Sequence, residues 1–305
     1  MAPWQGLSAL DAVELMDVAW NFRREHLPLT QRSHSVITDG GDQPNIVPEK
    51  ATVWYYFREN GFDTVRQLYE TGNTVAQAAA LATGTTVEHR LLGYAAPNYG
   101  NKPLAEAAYA NIQAVGMPKW DADDRAFALA VQQGSGREPL PLADRVGELS
   151  TPANRGAPIG GSDDIGDVMW TVPTITLRYP SNIPGLIPHN SMAAIAMATP
   201  IAHTGAVAGA KAVALTVLDL VTNPSLLREA KTWFTDVQTK DRKYEPIVSG
   251  SDVPPIHLNA QTMRLMRPEM EKFYYDPTRY GTYLGQLGID YPSGKASSRA
   301  ARRPR

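Results

Sequence analysis

No cysteine occurs among the 305 residues. That excludes disulfides, thiolate metal ligands and a cysteine nucleophile. It fits a reducing compartment, and the expectation is a cytoplasmic protein. A secretory start is missing as well: MAPWQGLSALDAVELM has no basic segment followed by an apolar core. Long hydrophobic runs are scarce. The most apolar stretch, from Ala206 to Val221, is interrupted by Lys211 and Asp219 and is too short to span a bilayer. It reads as a buried helix of a soluble protein. Charge of one sign is lacking too, with a net charge of −2 and a pI near 6.3. Nothing in that balance favours nucleic acid or an anionic membrane as a partner. There is no G-x-S-x-G, H-E-x-x-H, P-loop or G-x-G-x-x-G, so spacing alone supports no reaction.

What is present can build a core. Hydrophobic residues make up 43% and charged residues 20% of the chain, which argues against global disorder. Ser8 and Asp11 form a helix-start pair ahead of Leu10, Val13, Met16 and Trp20 at near-helical spacing. Pro28 closes that helix. Ser33 to Thr38 reads as a strand, broken by Thr38-Asp39-Gly40-Gly41. Ala51 to Arg58 is a second strand, rich in aromatic and β-branched residues. Asp63 is placed to cap a second helix running to about Leu81, and Thr86 to Tyr94 reads as a third strand. The order α-β-β-α-β matches a ferredoxin-like βαββαβ unit without its first strand. That strand is usually central, so its absence leaves two edges unpaired.

Ala95 to Pro103 reads as a linker. Helices are expected near Leu104 to Val115 and Asp121 to Gln133. Gly134 to Ser162 reads as mostly loop, Asp167 to Tyr179 as strand, His203 to Val221 as an Ala-rich helix closed by Asn223-Pro224, and Pro224 to Thr239 as a further helix. No internal repeat is present. From Lys295 onward, arginines with no acid read as a solvated, disordered tail.

Candidate chemistry begins with the six histidines. His34 lies in a strand ending at Gly40-Gly41, ahead of Pro44-Asn45-Ile46-Val47-Pro48. Donors there can hold a carboxylate or oxyanion; equally, His34 can be satisfied on a strand face. His189, after Pro188 at a loop-helix junction, suits a metal-ligand position or has no role. Asp163, Asp164 and Asp167 among glycines bind a cation or form a solvated turn. His89 alternates with Val87 and Leu91 and reads as a buried strand residue. His26, His203 and His257 belong to no constellation.

The stretch Arg32 to Pro48 (RSHSVITDGGDQPNIVP) resembles the lid-domain pattern of the M20 peptidases and amidohydrolases: a His strand, a GG turn and N-hydrophobic-V-P. Pro3-Trp4-Gln5-Gly6 with Ser8 to Ala12 is similar to that family's entry into the lid helix. Gly161 to Val168 and the segment through Pro188-His189 are similar to its C-terminal catalytic segment.

The resemblance implies an α/β chain in three parts. Residues 1–94 are a ferredoxin-like lid, or dimerisation, domain missing its first strand. Residues 95–290 are the C-terminal half of the catalytic domain, and residues 291–305 are the basic tail. It implies that His34 polarises a scissile carbonyl, Asn45 contacts a substrate carboxylate and His189 is a metal ligand. It implies two divalent metal ions, zinc or manganese, and amide hydrolysis of an N-acyl amino acid such as aminobenzoyl-glutamate. The partners it implies are that small substrate and, through the lid, a second copy or a companion subunit, with no nucleic acid or membrane. The family's H-x-D pair and glutamates have no counterpart here, so the isolated chain is expected to hold metal weakly and to be inactive. The alternatives are a non-catalytic dimerisation module and an unrelated α/β binding protein.

Overall fold

The computed structural model describes residues 3–150 and 163–294. The expected tail from Lys295 and the part of the Gly/Pro-rich loop at 151–162 lie outside them. The chain divides into two compact units, one built from residues 1–99, 153–171 and 243–255, the other from 100–152, 172–242 and 256–305.

The first unit begins with helix α1, Ala9–Arg24. Its Ser8 cap accepts the Asp11 N–H at 3.3 Å and donates its hydroxyl to the Asp11 carboxylate at 2.8 Å. Strands β1 (Arg32–Asp39) and β2 (Thr52–Arg58) pair antiparallel, with Arg32 opposite Arg58, His34 opposite Tyr56 and Val36 opposite Trp54. A register shift falls between Ile37 and Asp39. Helix α2, Phe62–Thr83, follows. Its cap is Gly61, with no side-chain hydrogen bond, so Asp63 does not cap it. Asp63 sits inside the first turn instead, where a carboxylate still favours the helix N-terminus. Gly84 ends α2 with φ 68°, returning its N–H to Ala80 and Leu81.

Both helices cover one face of the β1–β2 sheet. Trp20, 2% exposed, packs edge-on to Phe57 with centroids 4.9 Å apart and donates Nε1–H to Ser33 Oγ at 2.9 Å. Asp17 accepts hydroxyls from Ser35 at 2.9 Å and Tyr55 at 2.8 Å, tying α1 to both strands. A Cβ on Gly72 would come within 2.4 Å of Phe57 Cζ, so α2 reaches the sheet only because that residue is glycine. Alternation along the strands then decides the other face. With Ser33, Ser35, Tyr55 and Phe57 turned inward, His34, Val36, Trp54, Tyr56 and Arg58 turn outward.

The third strand expected over 86–94 does not form: the segment has no ladder partner among the described residues. In the βαββαβ order the last strand pairs with the first, and no described strand takes that place. His89 is accordingly exposed rather than buried, with its ring 6.1 Å from that of Tyr69. The stretch read as a linker is not a free spacer, because Ala96, Tyr99 and Asn101 are buried. Ala96 and Tyr99 join Trp170, Phe62, Tyr94 and Tyr244 in an aromatic cluster.

The second unit is helical: α3 (Lys102–Val115), α4 (Ala122–Gly134), α6 (Ser191–Ala196), α7 (Pro200–Thr222), α8 (Pro224–Trp233), α9 (Ala260–Glu271) and α10 (Tyr283–Leu287). Helix α5, Ile165–Met169, belongs to the first unit. Asn101, fully buried, caps α3 through its Oδ1 and donates its amide to the Ala230 carbonyl of α8 at 2.8 Å. Asn111 of α3 donates to Thr216 and Asp219 of α7 at 3.2 and 2.6 Å. Trp120, Phe127, Leu142, Ile183, Ile201 and Leu284 form the core beside them.

Two expectations fail here. Asp167 to Tyr179 is not a strand: its start is α5, and 173–180 runs without a ladder. Helix α7 is not simply buried. At 23 residues and mean hydropathy 1.5 it is long and apolar enough to cross a membrane by length and composition alone, and 22% of the apolar window is buried. Gly205, Gly209, Ala212 and Thr216 are buried, while Val207, Val217, Leu218 and Val221 on the far side are exposed.

Candidate functional site

β1 places His34 on the uncovered sheet face, exposed to solvent. Asn45, also exposed, lies in the turn between β1 and β2. Gly41 opens that connection at φ 104°, and a Cβ there would meet the Pro48 ring at 2.8 Å, so the Gly40-Gly41 break is required by the close return of the chain. His34 and Asn45 therefore belong to one unit.

The register brings further residues to the same face. Tyr56 stands directly across from His34, and Arg58 is its next same-face neighbour on β2. The Arg58 guanidinium makes no hydrogen bond or ion pair with any described residue. Arg32, opposite it, donates instead to the carbonyls of Leu29 and Gln31 at 2.7 and 2.8 Å. Near Arg58 the outward positions hold no acid; Asp39, paired with Thr52 past the register shift, stands at the far end of the face. A cation beside an imidazole with no neutralising carboxylate can receive a carboxylate ligand. Sequence reasoning missed Arg58, Trp54 and Tyr56. Their signal was the alternate spacing 54, 56, 58, which says they share a face but not which face is covered.

His189 lies in the second unit, exposed, in the turn that leads to α6. Its φ of 57° makes it the non-glycine residue with positive φ among those described. Left-handed backbone costs an L-residue about 1–2 kcal/mol. Asn190, next in line, caps α6 by accepting the Met192 N–H at 2.9 Å. Among the described residues no group of three or more His, Cys, Asp or Glu is placed to hold a metal ion. A zinc site takes about four ligands, and His189 can supply one. The described residues therefore do not fit a two-metal centre by themselves.

Asp163 and Asp164 precede α5 as exposed residues, whereas Asp167 lies inside that helix. Asp163 accepts the Ile165 N–H at 3.1 Å. Asp167 spends both oxygens inside the unit, one on the Ala96 N–H at 3.1 Å and one on the Tyr244 hydroxyl. Burial and that carboxylate raise the Tyr244 phenol above its ordinary value, so the proton stays on the tyrosine. Trp170 Nε1–H donates to the Pro97 carbonyl at 2.7 Å, completing a tie between α5 and residues 94–99. This is an internal brace, with no free carboxylate oxygen on Asp167 for a cation.

No family model matches the chain. Curated relatives do. The B subunit of the p-aminobenzoyl-glutamate hydrolase of Escherichia coli (strain K12) is 30% identical over 281 residues, 84% of this chain and 58% of its own length. The Xaa-Arg dipeptidase of Mus musculus is 29% identical over 233 residues, 76% of this chain and 47% of the relative. That of Homo sapiens is 30% identical over 228 residues, 74% and 45%. The chain thus spans about half the length of these relatives.

Proposed function

Because this chain is homologous to M20-family hydrolases over most of its length, we propose that it supplies the substrate-recognition part of an amidohydrolase acting on N-acyl amino acids. One observation carries the reading. The uncovered face of β1–β2 aligns Arg58 and His34 on adjacent positions, with Asn45 on the connecting turn. In this reading Arg58 binds the substrate carboxylate by a charge-assisted hydrogen bond, and Asn45, on the turn at the opposite end of the strands, makes a polar contact elsewhere on the ligand. His34 donates an N–H to the scissile carbonyl oxygen, where negative charge develops. His189 would be one ligand of a divalent metal such as zinc or manganese, whose chemistry when bound is activation of water. The remaining ligands and the general base have no counterpart among the described residues, so the roles assigned to this chain end at binding and carbonyl polarisation.

In this reading the described residues are not sufficient for turnover, and residues outside them complete the site. The Escherichia coli relative is named as one subunit of its hydrolase, which supports a partnered arrangement. The test is direct. Purified chain is incubated with p-aminobenzoyl-glutamate and with an acyl dipeptide, each with and without zinc or manganese, and products are separated by chromatography. No hydrolysis is expected; metal-dependent turnover by the chain alone would overturn the division of labour.

A second reading, a non-catalytic interaction module, draws on the exposed apolar side of α7. It expects no binding of N-acyl amino acids at all, which equilibrium dialysis decides.

A further inference from the structure

Among the described helices of eight or more residues, α9 alone buries no side chain. It is nonetheless apolar along one line. Met263, Met266, Met270 and, just past its end, Phe273 follow one another at intervals of three, four and three. Met266, Met270 and Phe273 are 52%, 40% and 58% exposed. The base of this ridge is held. Tyr283 of α10 donates its hydroxyl to the Phe273 carbonyl at 3.2 Å, and Gln286 donates its amide to the Tyr274 carbonyl at 2.8 Å. Leu284, between them, is buried in the core of the second unit. The helix is therefore presented from a fixed base.

Helix α7, in the same unit, carries a matching line. With Gly205, Gly209, Ala212 and Thr216 turned inward, Val207, Ala210, Ala214, Val217 and Val221 stand exposed at intervals of three, four, three and four. Alternating steps of three and four make the seam along which two helices mesh. The sizes are complementary as well. The alanines in the middle of α7 leave room that flexible methionines fill. Within one chain both seams are open to solvent, so α9 does not lie on its own α7.

We propose that α9 of one copy lies along the outward seam of α7 of a second copy, and the reverse, so that the chain forms a two-fold dimer through its second unit. Both halves of the contact are carried by one chain, which selects a second copy over an unlike partner, and reciprocal exchange closes at two. A single helix pair about 18 Å long is a small contact. Made twice, it brings the buried area to about 1,000 Å², the low end of specific interfaces. The dimer is accordingly of micromolar affinity.

The test uses the full chain, which has no cysteine of its own. Sedimentation velocity over a concentration series should show a monomer–dimer equilibrium. Met266→Glu should weaken it about ten-fold or more, because a charge would enter an apolar seam. In parallel, an Ala214→Cys chain and a Met266→Cys chain are mixed and treated with a short bismaleimide. A covalent dimer holding one chain of each kind, identified by mass, is expected, with far less product from either chain alone. Dimers from Ala214→Cys alone, with Met266→Glu silent, overturn the proposal in favour of α7 against α7. A crosslink inside one chain of the diluted double variant overturns it in favour of α9 closing on its own α7. A chain that stays monomeric at every concentration, or a dimer that gives no mixed crosslink, overturns it outright. Ala214 and Met266 are both exposed, so the cysteine variants should keep the far-ultraviolet spectrum of wild type.

Discussion

Gly166→Ala tests the brace that holds α5 to residues 94–99. A Cβ at this position would lie 2.0 Å from the Ala96 carbonyl oxygen and 2.8 Å from its carbon. Both contacts are to backbone, so no flexible side chain can give way. Relief requires the Ala96 peptide to move by about 1 Å or more, at an overpacking cost of about 1–3 kcal/mol. The same movement draws the Ala96 N–H off Asp167, now 3.1 Å away. A hydrogen bond to a charged group is worth about 1.5–3 kcal/mol. Helix propensity returns about 1 kcal/mol to alanine. The net loss is about 2–4 kcal/mol, or roughly 5–12 °C in melting temperature for a unit of this size. Near-ultraviolet circular dichroism is the suitable probe, because Trp170, Tyr99, Phe62 and Tyr244 sit in the affected cluster. Gly93→Ala is the control: nothing lies within 4 Å of its Cβ, and it should melt within about 2 °C of wild type. A Gly166→Ala protein that melts with the control would refute the close approach of α5 to Ala96. Asp167→Asn should also lower the melting temperature in metal-free buffer, since the carboxylate serves protein donors.

Three further outcomes follow from other parts of the chain. Burial, with Asp17, Asp167 and Asp124 respectively, raises the phenols of Tyr55, Tyr244 and Tyr291 above the ordinary value of 10. The folded chain then keeps protons that the unfolded chain releases, so stability is intact below about pH 10 and falls as pH rises beyond it. Melting temperatures from pH 9 to 12 should decline more steeply in wild type than in Tyr55→Phe, and equal slopes would contradict this. At His189, with φ 57°, His189→Gly should leave the melting temperature unchanged or slightly higher, while a β-branched His189→Val should lose about 1–2 kcal/mol; equal effects would argue against a left-handed residue there. On α7, Val217 and Leu218 are 52% and 56% exposed. Val217→Glu with Leu218→Lys should reduce self-association in sedimentation velocity, and unchanged profiles would mean that this face is not what associates.

Helices α1–α4, α7 and α8 were legible because their signals are local: Ser8 and Asp11 start α1, and Asn223-Pro224 closes α7, whose start at Pro200 lies ahead of the expected His203. Asn101 escaped notice because the Gly- and Pro-containing stretch around it reads as spacer, yet it is a buried cap whose amide reaches 129 positions along the chain to Ala230. The two segments wrongly read as strands, 86–94 and 167–179, share a cause. Alternation and β-branched residues describe a chain able to be a strand, but a strand is defined by a partner's backbone, and neither segment has one among the described residues. Backbone groups left in that condition are a template for pairing. The site divides the same way. His34 and Asn45 were found through a local motif. Arg58, Trp54 and Tyr56 needed one long-range fact, namely that Trp20 bonds Ser33 and Asp17 bonds Tyr55 on the opposite side of the sheet. Those two hydrogen bonds turn the alternation into an address. Break them with Trp20→Ala and Asp17→Ala, and the outward face should lose its definition even though none of its own residues has changed. Binding of an N-acyl amino acid that survived their loss would mean that Arg58 owes its placement to something other than the α1–sheet contact.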